Sequence, residues 1–130
     1  METGAASKMN PQEVSPAELF KGTFGFAITS LLVSAVELDL FTAIDHGGNT
    51  VEKLAQETSY SPRGLRILLN ALAGSGYLEK QDSHYALTPI AATYLSKNSP
   101  KYAGGMVLHS KMLRDNWDRL TEVVRTGKIQ

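Results

Sequence analysis

The 130-residue chain contains no cysteine. That excludes disulfide frameworks, thiolate zinc sites, iron–sulfur clusters and thiol nucleophiles together, and it fits a reducing cytoplasm, the expected location. It also lacks an excess of either charge: 13 Lys and Arg face 13 Asp and Glu. A protein held to nucleic acid through phosphates carries a clear basic surplus, so no nucleic-acid partner is expected. The first fourteen residues, METGAASKMNPQEV, lack the apolar core of a secretory signal and read as a disordered tail. The longest uncharged run, residues 22–36, falls short of the about 20 apolar residues of a membrane-crossing helix and contains Gly25, Thr29, Ser30 and Ser34. No membrane partner is expected either. The glycines never assemble into GxGxxG or a P-loop, and no β-branched run leads into a glycine-rich turn. The histidines, His46, His84 and His109, are far apart without metal-ligand spacing, so no metal site is expected. Nothing marks a catalytic or cofactor-binding residue.

What is present is a helical pattern. A chain of this length with 42% hydrophobic residues can form one domain that removes roughly two-thirds of its unfolded surface from water. Four prolines follow a hydroxyl residue, at Ser15-Pro16, Ser61-Pro62, Thr88-Pro89 and Ser99-Pro100. Each pair predicts a helix start, the hydroxyl capping an unpaired amide and proline filling a position whose missing N–H costs nothing. Ser15 and Glu18 add the spacing of a capping box. From Pro16 onward, Leu19, Phe20, Phe24, Ala27, Ile28, Leu31, Leu32, Ala35 and Leu38 recur at helical spacing. Phe26, Val33 and Val36 occupy the opposite face, so this helix is apolar nearly all round and needs cover on more than one side. A monomer this small offers little cover. A second chain buried against Leu19, Phe20, Phe24, Ala27, Ile28, Leu31, Leu32 and Ala35 is therefore expected, with a central core helix as the competing reading.

A second helical segment runs over residues 37–46 and stops at Gly47-Gly48. Thr50 begins a short helix, VEKLAQET, and Ser61-Pro62 a longer one, RGLRILLNALAGSG, with Leu65, Leu68, Leu69 and Leu72 on one face. Residues 77–80 and 84–87, flanking Gln81-Asp82-Ser83, predict a β-hairpin. Helix, turn, helix and hairpin over residues 51–90 is the order of a winged helix. Further helices are predicted over 90–95, over 102–113, and through Trp117, Leu120, Val123 and Val124 to Gly127. Asp115 and Asp118 share a helix face with Arg114 and Arg119 beside them, which reads as a solvated charged face.

A winged helix raises DNA binding as a rival function, with Arg63 and Arg66 near the start of the recognition helix. The local charge opposes it, because residues 51–90 carry four basic and four acidic side chains. Residues 1–50 hold two basic and six acidic side chains and residues 97–130 hold seven and three, an asymmetry that either aligns two chains head to tail or merely serves solubility.

The collinear segments PAELFKGTFGF, VELDLFTAID, TVEKLAQETSYSPRGLRILLNALAGSGYLEK, HYALTPIAATYL and W-x-x-L-x-x-V-V-R-T-G-K resemble the N-terminal dimerisation domain of class I S-adenosylmethionine-dependent O-methyltransferases. The likeness covers residues 15–128, and implies a mainly α fold: a winged helix-turn-helix with a small hairpin, and added N- and C-terminal helices forming an intertwined homodimer. It implies a Rossmann-like catalytic domain that supplies S-adenosylmethionine binding and the general base. No counterpart to either is seen in these residues, so the domain is expected not to be catalytic alone. It further implies that the late helix lines the pocket of a small organic acceptor. Matched residue by residue, His109, Met112, Leu113 and Trp117 would face substrate, and Phe24 or Phe26 would enter the partner's pocket. A winged-helix transcriptional regulator and an unattached protein-docking module are the alternatives.

Overall fold

The computed structural model describes residues 10–128. Residues 1–9 of the expected tail therefore lie outside the described residues, while residues 10–13 form a turn closed by the Glu13 amide on the Asn10 carbonyl at 2.8 Å. Among the described residues there are seven helices and one two-stranded antiparallel sheet, in the order α1 (Ala17–Glu37), α2 (Leu40–Asp45), α3 (Val51–Thr58), α4 (Pro62–Gly74), β1 (Leu78–Gln81), β2 (His84–Leu87), α5 (Pro89–Tyr94), α6 (Gly104–Asp118) and α7 (Leu120–Thr126). The mainly helical architecture with a helix–helix–hairpin centre matches the expectation from sequence.

Three of the four hydroxyl–proline pairs stand at helix starts, but only one of those three hydroxyls makes the expected cap. Ser61 caps α4 as expected, its Oγ accepting from the Gly64 amide at 3.1 Å, and Thr50 caps α3 by accepting from the Lys53 amide at 3.1 Å. The capping box at Ser15 does not form. Pro16 itself takes the N-cap position with α-region angles, so Ser15 Oγ reaches only the Ala17 amide, 3.2 Å away, and Glu18 lies 4.0 Å from Lys21 instead. Thr88 precedes α5 without capping it, because its hydroxyl donates to the Gly76 carbonyl at 2.9 Å. Ser99-Pro100 starts no helix: Ser99 Oγ accepts from the Lys101 amide in a local turn, and α6 waits until Gly104. The Ala103 amide is held by the Tyr94 carbonyl at 2.7 Å, which fixes where α6 can begin. Once begun, α6 runs through Trp117 without the break expected after residue 113.

The segment predicted over 37–46 is likewise shorter. Asp39 adopts φ 56°, a left-handed conformation that a short polar side chain tolerates, and α2 starts after it at Leu40. Gly48 is held to glycine by space: a Cβ there would stand 2.8 Å from Leu54 Cδ2 and 3.0 Å from the Ala43 carbonyl oxygen. The hairpin pairs Leu78 with Leu87 and Gln81 with His84, one residue along from the predicted first strand, with Asp82 at φ 56° in the turn. This register turns Leu78 and Tyr85 into the core. Tyr85 fastens the hairpin twice more, its amide donating to the Asn49 carbonyl at 2.8 Å and its hydroxyl to Asn70 Oδ1 on α4 at 2.6 Å.

The core joins the end of α1 and all of α2 to α3, α4 and the hairpin, through Ala35, Leu40, Phe41, Leu54, Leu69 and Leu72 among others. This corrects the expected interface at one residue: Ala35 is fully buried within its own chain and has no surface to give a second one. Leu31 and Leu32 are half-buried against the same core. The first half of α1 is left uncovered by its own chain, residues 17–28 all being exposed. Leu19 is 70% exposed, Phe20 55%, Phe24 56% and Phe26 54%. By length and composition alone α1 could cross a membrane, with mean hydropathy 1.6 over its 18-residue window, although its longest uncharged run falls short. Its C-terminal third, with Val33, Ala35 and Val36 buried, is instead embedded in protein.

A polar latch ties the α5–α6 connection to α2. Asp45 Oδ2 accepts from the Ser96 hydroxyl at 2.7 Å and from Asn98 Nδ2 at 3.0 Å, the Lys97 amide donates to Thr42 Oγ1 at 3.0 Å, and Lys97 Nζ pairs with Asp39 at 2.8 Å. The Ser96 and Asn98 hydrogen bonds hold the Asp45 carboxyl below its ordinary pKa, while bonding to Asp39 raises that of Lys97. A depressed carboxyl contributes stability that is complete above its unfolded value of about 3.9 and is lost as pH falls through the lower folded value. Lys97 acts in the opposite sense and loses its contribution only in alkali. Asp45→Asn is therefore expected to lower the urea midpoint at pH 6, and the gap to the parent should close as pH falls below about 4. A gap independent of pH would show that the carboxylate charge is not what the latch uses.

Candidate functional site

Helix α6 lies along α1, and the two enclose a cleft of about 270 Å³ lined by Phe26 and Thr29 from α1 and by Ser110, Leu113, Arg114 and Trp117 from α6. The α6 residues fall at positions i, i+3, i+4 and i+7, the spacing of a single helical face. Of the residues expected to face substrate, Leu113 and Trp117 meet here, joined by Phe26, which was expected in the partner's pocket and lines a cleft of its own chain. His109 and Met112 do not line the cleft; both are exposed, Met112 at 73%. They belong to the neighbouring face of α6, one residue out of phase with the lining set. Phe24 also points elsewhere, forming a ring row with Phe20 and Phe26 at centroid distances of 6.3 and 6.5 Å.

Thr29, Ser110 and Arg114 were missed from sequence, because a search for apolar and aromatic groups passes over hydroxyls and a cation. The i, i+3, i+4, i+7 pattern read backwards from Trp117 would have found Ser110 and Arg114. Arg114 was assigned to a solvated face with Asp115 and Asp118, yet it turns toward α1. Its Nη1 donates to Ser30 Oγ at 3.0 Å and its guanidinium lies 5.7 Å from the Phe26 ring centroid. Next to it, Lys111 pairs with Glu37 at 2.8 Å and fixes α6 to α1 a turn further along. A second, wholly apolar cleft of about 280 Å³ opens between α1, α5 and α6, lined by Leu32, Ile90, Tyr94 and Met106 with others. Among the described residues no group of three or more His, Asp or Glu could hold a metal ion.

Residues 20–97 match the O-methyltransferase dimerisation domain, and the chain belongs to that family. It is 37% identical over 117 residues to the tetracenomycin polyketide synthesis 8-O-methyl transferase of Streptomyces glaucescens, covering 88% of this chain and 34% of that one. It is 35% identical over 127 residues to a 3-hydroxy-5-methyl-1-naphthoate 3-O-methyltransferase of Streptomyces sahachiroi, covering 97% of this chain and 37% of that one. Its fold matches human N-acetylserotonin methyltransferase, solved in complex with S-adenosylmethionine, with a TM-score of 0.78 at 23% identity over 94% of this chain and 38% of that one. The chain thus spans about a third of the length of these relatives. Its own residues do not fit S-adenosylmethionine. The described strands form only a hairpin, and neither runs into a glycine-rich turn and a helix; Gly74 and Gly76 lead from a helix into a strand, the reverse of such a cradle.

Proposed function

We propose that this chain is the dimerisation and acceptor-pocket part of a cytoplasmic S-adenosylmethionine-dependent O-methyltransferase acting on a small aromatic hydroxy compound. It pairs two copies and encloses the acceptor, while cofactor binding and proton removal belong to a catalytic domain of the kind its relatives carry. The contribution of these residues is to orient the acceptor and exclude water from it. The supporting observation is the bare first half of α1. Leu19, Phe20, Phe24 and Phe26 form an exposed apolar surface on a helix whose other half is core, and surfaces of that kind mark protein contacts. The cleft beside it, with Phe26, Leu113 and Trp117, presents aromatic and aliphatic walls suited to a flat acceptor. Met112 and Met106, both more than 70% exposed, add polarizable, adaptable surface on the same helix.

The transcriptional-regulator alternative is less well supported. Arg66 is drawn to Glu52 at 3.6 Å, Lys80 donates to Asn70 at 3.0 Å, and α4 shows Ile67, 60% exposed, where a base-reading face would carry polar groups.

Sedimentation equilibrium tests the proposal. The chain is expected to be a dimer at micromolar concentration, and Phe24→Asp should weaken it by about 2 kcal/mol, roughly thirtyfold in dissociation constant, with helicity unchanged. A monomeric parent chain would end the proposal.

A further inference from the structure

We propose that the α1–α6 cleft reads a carboxylate: its preferred occupant is a fused-ring aromatic acid, with Arg114 as the group that binds the anion. This deepens the acceptor-pocket reading above and rests on it. The cleft has one charged residue in its lining, and that residue is a cation. Arg114 has no carboxylate within ion-pair distance among the described residues, although Asp118 stands one turn further along α6. The neighbouring Lys111, by contrast, is already matched to Glu37.

The guanidinium is held in place without being neutralised. Nη1 is bound by Ser30 and the Phe26 ring lies beside the cation, both of which are uncharged. Nη2 and Nε have no hydrogen-bond partner among the described residues, so one flat two-donor edge remains to be filled. Such an edge matches the two oxygens of a carboxylate bidentately, with a geometry a single point charge does not offer. The hydroxyls of Thr29 and Ser110 stand in the same lining but already donate to the Gly25 and Val107 carbonyls, at 3.5 and 2.6 Å, so they can accept from a ring hydroxyl while Arg114 donates to the acid. Phe26 and Trp117 supply the aromatic faces, and a lining with more apolar than polar surface fits fused rings in preference to a phosphate or a sugar acid.

Trp117 is the single tryptophan, so its indole gives one N–H resonance that reports the cleft directly. The isotope-labelled chain is titrated with 1-naphthoate and with 1-naphthamide, which keeps the rings and removes the charge. Both ligands should move the indole resonance, with naphthoate binding about tenfold tighter. Arg114→Gln should abolish that preference by lowering naphthoate affinity much more than naphthamide affinity, and Arg114→Lys should restore only part of it, having the charge without the fork. Equal binding of the two ligands by the parent chain, a preference that survives Arg114→Gln, or no indole shift with either ligand overturns the inference. Equal binding with an intact dimer mass sinks the anion role alone and leaves the aromatic cleft standing. A monomer that moves its indole with neither ligand sinks both.

Discussion

Replacing Ala35 with aspartate is expected to unfold the chain, whereas the same change a few residues earlier on α1 should alter only its assembly. The methyl group of Ala35 is completely buried, packed in the cluster that joins α1 to α2 and α4. The one side-chain hydroxyl of that buried cluster, Tyr85, already donates to Asn70, so the new group must either ionise without a partner or remain protonated with its hydrogen bonds unmade. Leaving a buried charge uncompensated costs about 3–5 kcal/mol, a large part of the about 5–15 kcal/mol that holds an ordinary domain together. Added volume compounds the loss, because the site is already filled. Urea denaturation followed by circular dichroism should show no cooperative transition, or one at much lower denaturant. Ile28→Asp, at a position 39% exposed, should keep the parent midpoint within about 1 kcal/mol and change the sedimenting mass. An Ala35→Asp chain that unfolds cooperatively near the parent midpoint would place that residue at an interface after all.

The contrast shows what the amino-acid pattern could and could not convey about α1. An apolar face all round was legible from Leu19 to Leu38, and so was the conclusion that one chain cannot hide it. Which residues their own chain hides was not legible. That division depends on where α2 and α4 fold back, and the turn at Asp39 that sets it comes from a left-handed residue no periodicity announces. The same limit explains the failed helix start at Ser99-Pro100. Ser61-Pro62 and Ser99-Pro100 are locally alike, yet only the first is followed by residues whose apolar face meets the core; the second is claimed by a connection strapped to α2. In the candidate site, the helix named from sequence does line the cleft, and His109 and Met112 lie one residue out of phase with its lining. A helix exposed over most of its surface offers no buried stripe from which to set that phase. Arg114 was passed over because an arginine beside two aspartates ordinarily belongs to solvent; its turn toward Ser30 and Phe26 is a tertiary fact.

Phe41→Ala should be the most damaging change that leaves charge untouched, at about 3–5 kcal/mol, even though alanine is the better helix former. Phe41 is 1% exposed and sits in a six-residue helix whose Leu40 and Ile44 are also buried, so α2 exists through packing and has too few turns to be stable alone. The cavity would open where α2 meets the rest of the core, and its effect should not stop there. Helix α2 with its N-cap residue Asp39 supplies Asp39, Thr42 and Asp45, the three anchors of the 96–98 connection, and that connection leads into α6, one wall of the cleft. A loosened α2 thus releases the strap that sets where α6 begins, which Asp45→Asn does through hydrogen bonds alone. The expected order of urea midpoints is parent, then Asp45→Asn, then Phe41→Ala, with Phe41→Leu recovering most of the loss because it refills the volume. In the Phe41→Ala chain the Trp117 indole resonance should also broaden or shift below the unfolding transition, since the wall that carries it has lost its support. A sharp, unmoved indole in a chain weakened by several kcal/mol would mean that α6 is held by α1 alone, through Lys111–Glu37 and Arg114–Ser30, and that the latch steadies the connection without steering the cleft.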